Sequence, residues 1–460
     1  MRLFNRCRKL ILLAASGAVA FAQTAAVAPK IAPVKFSDTR LENGLRVIVV
    51  EDHYAPVYAI AVSYSVGSKD ERPGRTGFAH LFEHMMFKGS ENVGAGEHFF
   101  LIFNYGGNMN GTTNTDRTVY YEELPKNQLD LGLFLESDRM RSLAITKDNL
   151  ENQRQAVKEE RRLGLDNQPY GYSNDRLNEL TFDNFAYHHS VIGSMDDLDK
   201  ASVEDVQAFF KTYYAPNNAV VAIVGDIDSK DTLAKVQKYF GNIPRQAPPP
   251  TVDLTEPEMK SDRHEAMEDK LARVSQVSIN YKIPSATSAD APALSALASI
   301  LGGGETSRLY QKLVKEKEVC SGINAGSAER LGPGSFRITC SVRPGKTLQE
   351  AESLISEEVS GIMAAPVTEA ELTRVRTSAR RGAVGLRESA LSRALTLAND
   401  ASVYNDPNRI NTETDKLMAV SAADVQRVAK LYLRSDNKVV METTPAASKP
   451  PGAAPQPVAR

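Results

Sequence analysis

The chain has 460 residues, of which 42% are hydrophobic and 24% are charged, and its formal net charge is −2. These values describe a globular protein with room for two or more domains, and they exclude disordered and fibrous proteins. The near-neutral charge also argues against a nucleic-acid binder, which would normally carry a basic domain or stripe.

Residues 1–22 have the pattern of a secretory signal peptide. Four basic residues precede an uncharged apolar block, residues 10–22, whose end fits a small-x-small cleavage site. A mitochondrial presequence, the alternative, would space its arginines along an amphipathic helix, and the block is shorter than the roughly 20 residues of a stable membrane span. We therefore expect a periplasmic or secreted protein whose net charge becomes −2 − 4 = −6 after cleavage.

The first predicted elements after this segment are strands, and helices follow them. Residues 45–51 and 58–66 are rich in Val and Ile, as strands are, whereas residues 127–142 and 148–163 carry apolar residues at helical spacing. Strands followed by runs of helices predict an α+β fold with helices packed on a mixed or antiparallel sheet.

Residues 77–87 predict a short amphipathic helix with two histidines one turn apart. Its apolar face has four members: Phe78, Leu81, Phe82 and Met85. His80, Glu83 and His84 share another face, in the H-x-x-E-H order of the inverzincins. Two imidazoles at this spacing can hold one zinc ion, and a carboxylate beside them can take a proton from water. The alternative is a pair of solvated histidines on a surface helix, so a third ligand is needed.

Two further segments of the first half, residues 106–120 and 148–163, have patterns that predict local structure. The first segment, rich in Gly, Asn and Thr, predicts either a turn with a weak strand or an exposed strand to which an extended peptide could add. The helix can be capped by Thr146 and Asp148, and it then carries Gln153, Val157 and Glu160 on one face.

An internal repeat organises the chain. Residues 202–221 align with residues 421–440 at a constant offset of 219, and nine of the twenty positions are identical. A repeat of this length predicts two homologous domains, each a sheet packed with helices. The predicted segments are a first domain at 34–244, a Pro-rich linker at 245–265, a second domain at 266–444 and a disordered tail at 445–460.

The second half holds a triple glycine and the two cysteines that would remain after signal cleavage. The glycines at 302–304 are not followed by the Lys-Ser/Thr of a phosphate loop, so we expect them to start a helix. Cys320 and Cys340 could form a disulfide in an oxidising compartment, but the sequence does not give the register of the hairpin on which they lie.

Three segments together resemble the M16 (pitrilysin, insulinase) metallopeptidases, in the subfamily that includes mitochondrial processing peptidase and its bacterial relatives. The segments are residues 77–87, 106–120 and 152–162. The resemblance covers nearly the whole mature chain and is strongest in the first half. It implies one zinc ion per chain, held by His80, His84 and a glutamate about 76 residues further on; 84 + 76 gives Glu160, with Glu159 as the nearby rival.

The resemblance also implies roles for neighbouring residues. Glu83 would be the general base that activates water, and Asn110, Gly111 and Thr112 would contact the substrate from an edge strand. The family often has an acidic residue seven positions before the third ligand, where this chain has Gln153. Because glutamine is neutral, this chain lacks the negative charge that the family often has next to the metal ligands.

The second half departs from the family at two functional positions. An Arg and a Tyr that contact the substrate and the developing oxyanion in relatives correspond here to Val314 and Ser321. Val314 cannot donate a hydrogen bond, and Ser321 is too short to replace a phenol. We therefore expect a zinc-bearing subunit that pairs with a homologous subunit carrying the Arg/Tyr pair, with a homodimer as the alternative.

The sequence thus favours a zinc-dependent endopeptidase that acts on peptides or unfolded segments outside the cytoplasm. Two other functions remain open. One is a non-catalytic structural subunit of an M16-like complex, although the zinc motif is intact. The other is a peptide-binding or chaperone-like module that binds chains without cutting them.

Overall fold

The structure is a computed structural model that describes residues 31–447. The predicted signal segment at 1–22 and most of the predicted tail lie outside the described residues, so the predictions for them stay predictions. No helix in the described part is long and apolar enough to span a bilayer.

Two mixed sheets form the centre of the fold. The strands found between residues 31 and 447 are β1 Ser37–Arg40, β2 Arg46–Glu51, β3 Val57–Tyr64, β4 Asn108–Thr113, β5 Thr118–Pro125, β6 Ala219–Gly225, β7 Arg263–Asp269, β8 Gln276–Ile283, β9 Cys320–Ala328, β10 Gly334–Val342 and β11 Lys438–Pro445. The first sheet has the order β1-β2-β6-β3-β5-β4, and the second has the order β7-β11-β8-β10-β9. Among the strand pairs of residues 31–447, only β2–β6 and β7–β11 are parallel.

Helices pack on both sheets. Those in the described residues are α1 Phe78–Met85, α2 Glu97–Asn104, α3 Leu129–Ser142, α4 Lys147–Arg161, α5 Gly171–Thr181, α6 Phe185–His188, α7 Met195–Asp199, α8 Val203–Tyr213, α9 Ser229–Phe240, α10 Ala291–Gly302, α11 Leu348–Ala364, α12 Glu369–Glu388, α13 Ala390–Val403, α14 Arg409–Met418 and α15 Ala422–Tyr432. The predicted α+β fold is confirmed.

The 219-residue offset extends far beyond the aligned segment. Adding 219 to the bounds of β3, 57 and 64, gives 276 and 283, which are the bounds of β8. The first residues of α3, α5 and β6 map in the same way onto those of α11, α13 and β11. The two sheets are therefore built by one duplicated unit, as the repeat predicts.

The aligned segment itself folds identically in both halves. Ser202 and Ser421 each cap a helix through a capping box, in which the serine hydroxyl accepts the backbone N–H of the aspartate three residues later and that carboxylate accepts the backbone N–H of the serine. After each helix, the amide of Asn218 or Asn437 donates to the carbonyl oxygen of the residue five positions earlier, at 2.8 and 2.7 Å. These bonds hold the turn that leads into a buried strand.

The two halves exchange one helix each. On α13, Ala394 and Leu397 are fully buried against the face of the first sheet that β3 and β6 present, where Ala59 lies. In return, Leu177 of α5 packs on Met441 of the second sheet. Since α5 and α13 occupy equivalent repeat positions, each half covers part of the other half's sheet. Side chains of each half are thus buried against the sheet of the other half, across the domain boundary predicted at residue 244.

The segment between the halves has no helix or strand until β7 begins at Arg263. Glu256 fastens it to both sides. Its carboxylate accepts the backbone N–H groups of Asp183 and Asn184 at 2.7 and 3.0 Å and binds Lys282 Nζ at 2.6 Å. The segment therefore packs on the protein as well as joining the two halves.

Two features of the second half settle points raised by the sequence. Cys320 and Cys340, on the paired strands β9 and β10, form a disulfide. The prediction that the triple glycine starts a helix is wrong, because Gly302 ends α10. A Cβ at Gly302 would lie 2.1 Å from the backbone nitrogen of Ala325 on β9, so the helix end needs glycine for this close approach.

Candidate metal centre

Helix α1 carries the two histidines and is anchored by its apolar face. Phe78, Leu81, Phe82 and Met85 are each at most 4% exposed, as the predicted pattern requires. The helix begins after Gly77, whose φ of 83° lies in the left-handed region that favours glycine.

A buried carboxylate caps this helix. Both oxygens of Glu71 accept backbone N–H groups, from Gly77 and Ala79, at 2.8 Å each. Burial raises the pKa of Glu71, although these two bonds oppose that effect. Thr76 is held beside the cap because its hydroxyl and its backbone N–H both donate to Asp197 Oδ2, at 2.7 and 3.1 Å. The last N–H group that Glu71 binds belongs to Ala79, directly before His80. The cap therefore holds the start of the helix that carries both imidazoles.

Helix α4 packs against α1 and brings Glu160 to the histidines. Its N-terminus is capped by Thr146, whose hydroxyl accepts from the backbone N–H of Asn149, as expected. Glu160 Oε1 lies 3.5 Å from His80 Nε2, and Oε2 lies 3.2 Å from His84 Nε2. Glu159 instead pairs with Arg162 at 2.9 Å. The geometry therefore brings together His80, His84 and Glu160, and it turns the rival glutamate away.

These three residues fit a zinc ion. Zinc bonds of about 2.0–2.1 Å in a tetrahedron place neighbouring ligand atoms roughly 3.3–3.4 Å apart, and here each imidazole lies near that distance from a different oxygen of Glu160. The donor set of two imidazoles and one carboxylate leaves one position for water. Hydrogen bonding from His80, then from His84, holds the pKa of Glu160 well below its ordinary value. Glu160 is half exposed, so the site opens to solvent.

Glu83 lies between this group and strand β4. Its Oε2 accepts a hydrogen bond of 2.6 Å from the Thr113 hydroxyl, and its side chain is buried from solvent. A Cβ on Gly111 would come within 2.9 Å of Glu83 Cγ. A side chain at position 111 would therefore displace Glu83, because the strand passes directly over the carboxylate.

Strand β4 ends the first sheet. It pairs with β5 and has no second neighbour among the described residues. On it, Asn110 and Thr112 are exposed and Gly111 is buried over Glu83. The Gly111 N–H donates to Asn110 Oδ1 at 2.8 Å, and the carbonyl and hydroxyl oxygens of Thr112 both accept from Arg117. The expected substrate residues therefore lie together on a strand edge beside Glu83.

The other predicted residues lie further from the centre. Gln153 is buried on α4, and its amide donates to Asn152 Oδ1 at 2.5 Å. His80 Nδ1 is buried without a hydrogen-bond partner in the described part of the chain, so Gln153 does not hold this ring. In the second half, Val314 is buried in the core, and Ser321 Oγ donates to the carbonyl oxygen of Ser341 on β10.

Two further groups of histidine and glutamate occur among the described residues. In both, glutamates already pair with the group's histidine or with a neighbouring Arg or Lys. In the first, His98 Nε2 lies 2.6 Å from Glu122 Oε1, and Glu136 is paired with Arg139. The second group has three members: His264, Glu352 and Glu442. There Lys438 Nζ binds Glu352 at 2.9 Å. Neither group has two histidines one helical turn apart, as the group around Glu160 does.

Sequence reasoning missed Glu71, Asp197 and Thr113. Glu71 is six residues before Gly77, outside the local spacing of a capping box, and Asp197 reaches α1 from a distant helix. The sequence places Thr113 in a polar segment, but its bond to Glu83 spans 30 residues. No periodic signal reports such contacts, because the tertiary fold creates them.

Comparison with known proteins adds two matches to family models. Residues 46–194 match the model described as Insulinase (Peptidase family M16). Residues 200–379 match the model described as Peptidase M16 inactive domain.

Individual proteins are similar over most of the chain. Zinc protease PqqE of Helicobacter pylori is 28% identical over 414 residues, covering 89% of this chain and 93% of that protein. An uncharacterized zinc protease of Mycobacterium leprae is 27% identical over 357 residues, covering 76% of this chain and 79% of that protein.

Solved structures share the fold. A crystal structure of a protease from Helicobacter pylori superposes with a TM-score of 0.86 at 28% identity, covering 90% of this chain and all of that one. A peptidase M16 inactive domain from Pseudomonas fluorescens, at 17% identity, gives a TM-score of 0.81 over 91% of this chain and 99% of that one.

Proposed function

The chain belongs to the M16 peptidase family, and from that premise we propose that it is a zinc-dependent endopeptidase that hydrolyses peptides or unfolded segments. The observation that carries the proposal is the convergence of the His80, His84 and Glu160 donor atoms within 4.8 Å of one another, beside the carboxylate of Glu83. The names of the relatives, which are zinc proteases, support zinc as the metal.

The residues divide the chemistry between them. When bound to His80, His84 and Glu160, zinc supplies a Lewis acid that polarises a carbonyl and lowers the pKa of water. Glu83 takes the proton from the attacking water and later returns it to the leaving amine. The hydroxyl of Thr113 holds Glu83 in place by a 2.6 Å hydrogen bond, while the second carboxylate oxygen is left for this proton.

Strand β4 is the proposed docking edge for the substrate. An extended peptide that adds to this edge makes main-chain hydrogen bonds, which give affinity without demanding one sequence. Asn110, Gly111 and Thr112 are the proposed contacts, because this stretch passes over Glu83. The Asn110 side chain that now covers the Gly111 N–H would rotate away as the peptide binds.

The second half supports a proposed partner. Val314 and Ser321 supply neither the cation nor the phenol for an oxyanion, and residues 200–379 match a family model described as inactive. A homologous subunit with the Arg/Tyr pair would complete the site in a heterodimer, with a homodimer as the alternative. Mixing the chain with such a subunit should raise peptidase activity well above that of either alone. Full activity of the isolated chain would contradict a required partner.

Residues 1–22 support a location outside the cytoplasm. Their basic start and apolar block are typical of export signals. We therefore place the proposed activity in the periplasm or the secreted fraction. Fractionation of the native cells, followed by N-terminal sequencing of the mature chain, tests this placement.

The decisive experiment measures zinc content and cleavage for Glu83→Gln. Glu83 is the proposed base and not a ligand, so the variant should keep one zinc per chain and its fold while cleavage falls about 10²- to 10⁴-fold. Glu91→Gln, at an exposed position after α1, is the matched control and should retain activity. A native chain without zinc would favour a structural subunit, and zinc with peptide binding but no cleavage would favour a peptide-binding module.

A further inference from the structure

The loop between β9 and β10, residues 329–333, reaches out of the second half and binds the first. The Leu331 N–H donates to Asp116 Oδ2 at 3.0 Å, and the Gly332 N–H donates to the Tyr187 hydroxyl oxygen at 2.8 Å. Tyr187 in turn donates to Asp116 Oδ1 at 2.9 Å. Both oxygens of the Asp116 carboxylate are thus engaged, and Asp116 and Tyr187 are buried.

The loop fits closely into the first half. A Cβ on Gly332 would lie 2.7 Å from the Tyr187 ring, so only glycine allows this approach. Next to it, the Arg330 guanidinium lies over the rings of Phe182 and Tyr187, 4.5 and 4.8 Å from their centres, and donates to Asn178 Oδ1 at 3.2 Å. Stacking and hydrogen bonds therefore fix the loop in one position.

Asp116 belongs to the turn that joins β4 to β5. On the other side of this turn, the N–H groups of Ser68 and Lys69 donate to the carbonyl oxygens of Asn114 and Thr115, at 3.1 and 3.0 Å. The turn is thus held from two sides. Thr113, three residues before Asp116, carries the hydroxyl that binds Glu83. A continuous set of contacts therefore runs from the second half to the proposed catalytic base.

We infer that residues 330–332 form a latch by which the second half positions the β4–β5 hairpin over Glu83, and that Asp116 and Tyr187 are positioning residues for peptide hydrolysis. The inference rests on the proposed function. It assigns the second half a task at the metal centre that needs neither an arginine at 314 nor a tyrosine at 321. Without the latch, the strand edge and Thr113 would no longer be held at one distance from Glu83.

Tyr187→Phe tests the latch in the full chain. The change removes the hydroxyl that links Asp116 to Gly332 but keeps the ring under Arg330. For zinc-loaded enzyme we expect kcat/KM for an extended peptide to fall about 10- to 100-fold, with a rise in KM, because docking edge and base lose their alignment. We also expect faster deuterium uptake in residues 108–118, with one zinc per chain retained. Asp116→Asn, which keeps one carbonyl acceptor, should show a smaller loss in the same direction.

The matched control is Tyr239→Phe, which removes a similar hydroxyl–carboxylate bond, to Asp130 at 3.1 Å, remote from the hairpin. It should leave KM and the uptake of residues 108–118 unchanged. The latch is overturned if Tyr187→Phe keeps the wild-type KM, whether or not uptake rises, or if uptake in residues 108–118 does not change. Should the wild-type chain cleave no peptide, the proposed function fails, and deuterium uptake still decides whether the latch holds the hairpin.

Discussion

Two adjacent glutamates of α4 lie in different surroundings. Glu160 faces both imidazoles, whereas Glu159 is paired with Arg162 on the exposed side. Consecutive residues on a helix point about 100° apart, so only one of them can face α1.

Glu160→Gln should therefore weaken zinc binding while Glu159→Gln does not. A neutral amide is a poor zinc ligand, so we expect affinity to fall by more than about 100-fold, the upper end of losses for residues that merely support ligands. Competition with a chromophoric chelator measures both variants. Equal zinc affinity in the two would rule out Glu160 as the third ligand.

The sequence predicts which residues come together at this centre, but it does not predict the side chains that hold them in place. His80, Glu83 and His84 are found by local spacing, and Glu160 follows from a resemblance that counts residues along the chain. Glu71 could not be found in this way, because its hydrogen bonds to Gly77 and Ala79 depend on a loop that folds back on α1. The spacing of residues along the sequence predicts which side chains share a helix face, but it does not predict contacts between segments that are distant in the chain.

At the level of elements, the glycine-rich segment of the second half serves packing. Arg308 follows the triple glycine and binds Glu371 near the start of α12 with two hydrogen bonds, of 2.6 and 2.9 Å. Glu371 also accepts from the Thr368 N–H in the capping box of that helix. The bond from Arg308 is the main cause that lowers the pKa of Glu371 to about 2.

This pKa predicts acid-dependent stability. A lowered folded-state pKa stabilises the fold above the unfolded value, near 4.5, and the contribution is lost as pH falls from there through about 2. Glu371→Gln should cost up to about 3 kcal/mol at pH 7 and little at pH 2, since the pKa lies about 2.5 units (4.5 − 2) below its ordinary value and each unit corresponds to about 1.4 kcal/mol. Urea unfolding across this range measures the effect. Glu369→Gln, on the exposed first turn of the same helix, is the matched control and should leave the unfolding free energy at pH 7 nearly unchanged.

The disulfide should stabilise the β9–β10 hairpin. It closes a loop of 20 residues, which restricts the unfolded chain by about 3 kcal/mol in the loop-entropy model. We expect the double variant Cys320→Ser, Cys340→Ser to lose about 2–3 kcal/mol of unfolding free energy in urea. Dithiothreitol should destabilise the native protein and leave the double variant unchanged. Equal stability of native protein and variant would contradict this expectation.

At the scale of the whole molecule, α5 packs on the second sheet and α13 packs on the first, and the order of elements along the chain does not predict this exchange. The duplication and both sheets follow from a constant offset of 219, but the pattern on α13 shows only that the helix has an apolar face. Which sheet receives that face depends on how two equivalent units pack together. A repeat read along the sequence assigns each helix to its own half, and here this assignment is wrong for α5 and α13.

The first half should therefore not fold alone. Residues 31–244 lack α13, so Ala59 and its apolar neighbours on β3 and β6 would face water, and patches of this kind promote association. We expect this fragment to aggregate on size-exclusion chromatography, and co-expression with residues 245–447 to restore a monodisperse, zinc-binding complex. A monomeric, folded fragment that binds zinc unaided would contradict the exchange as a source of stability.

Because the chain is synthesised from its N-terminus, the first sheet is made well before the helix that covers it. Strand β6 ends at residue 225 and α13 starts at residue 390, so translation must advance 390 − 225 = 165 residues before the helix that covers the first sheet begins. At about 5–20 residues per second, this interval lasts roughly 8–33 s. Through that interval the nascent chain carries both histidines and Glu160 but cannot finish the domain that holds them. The first sheet therefore stays without the cover of α13 until the second half of the chain is present.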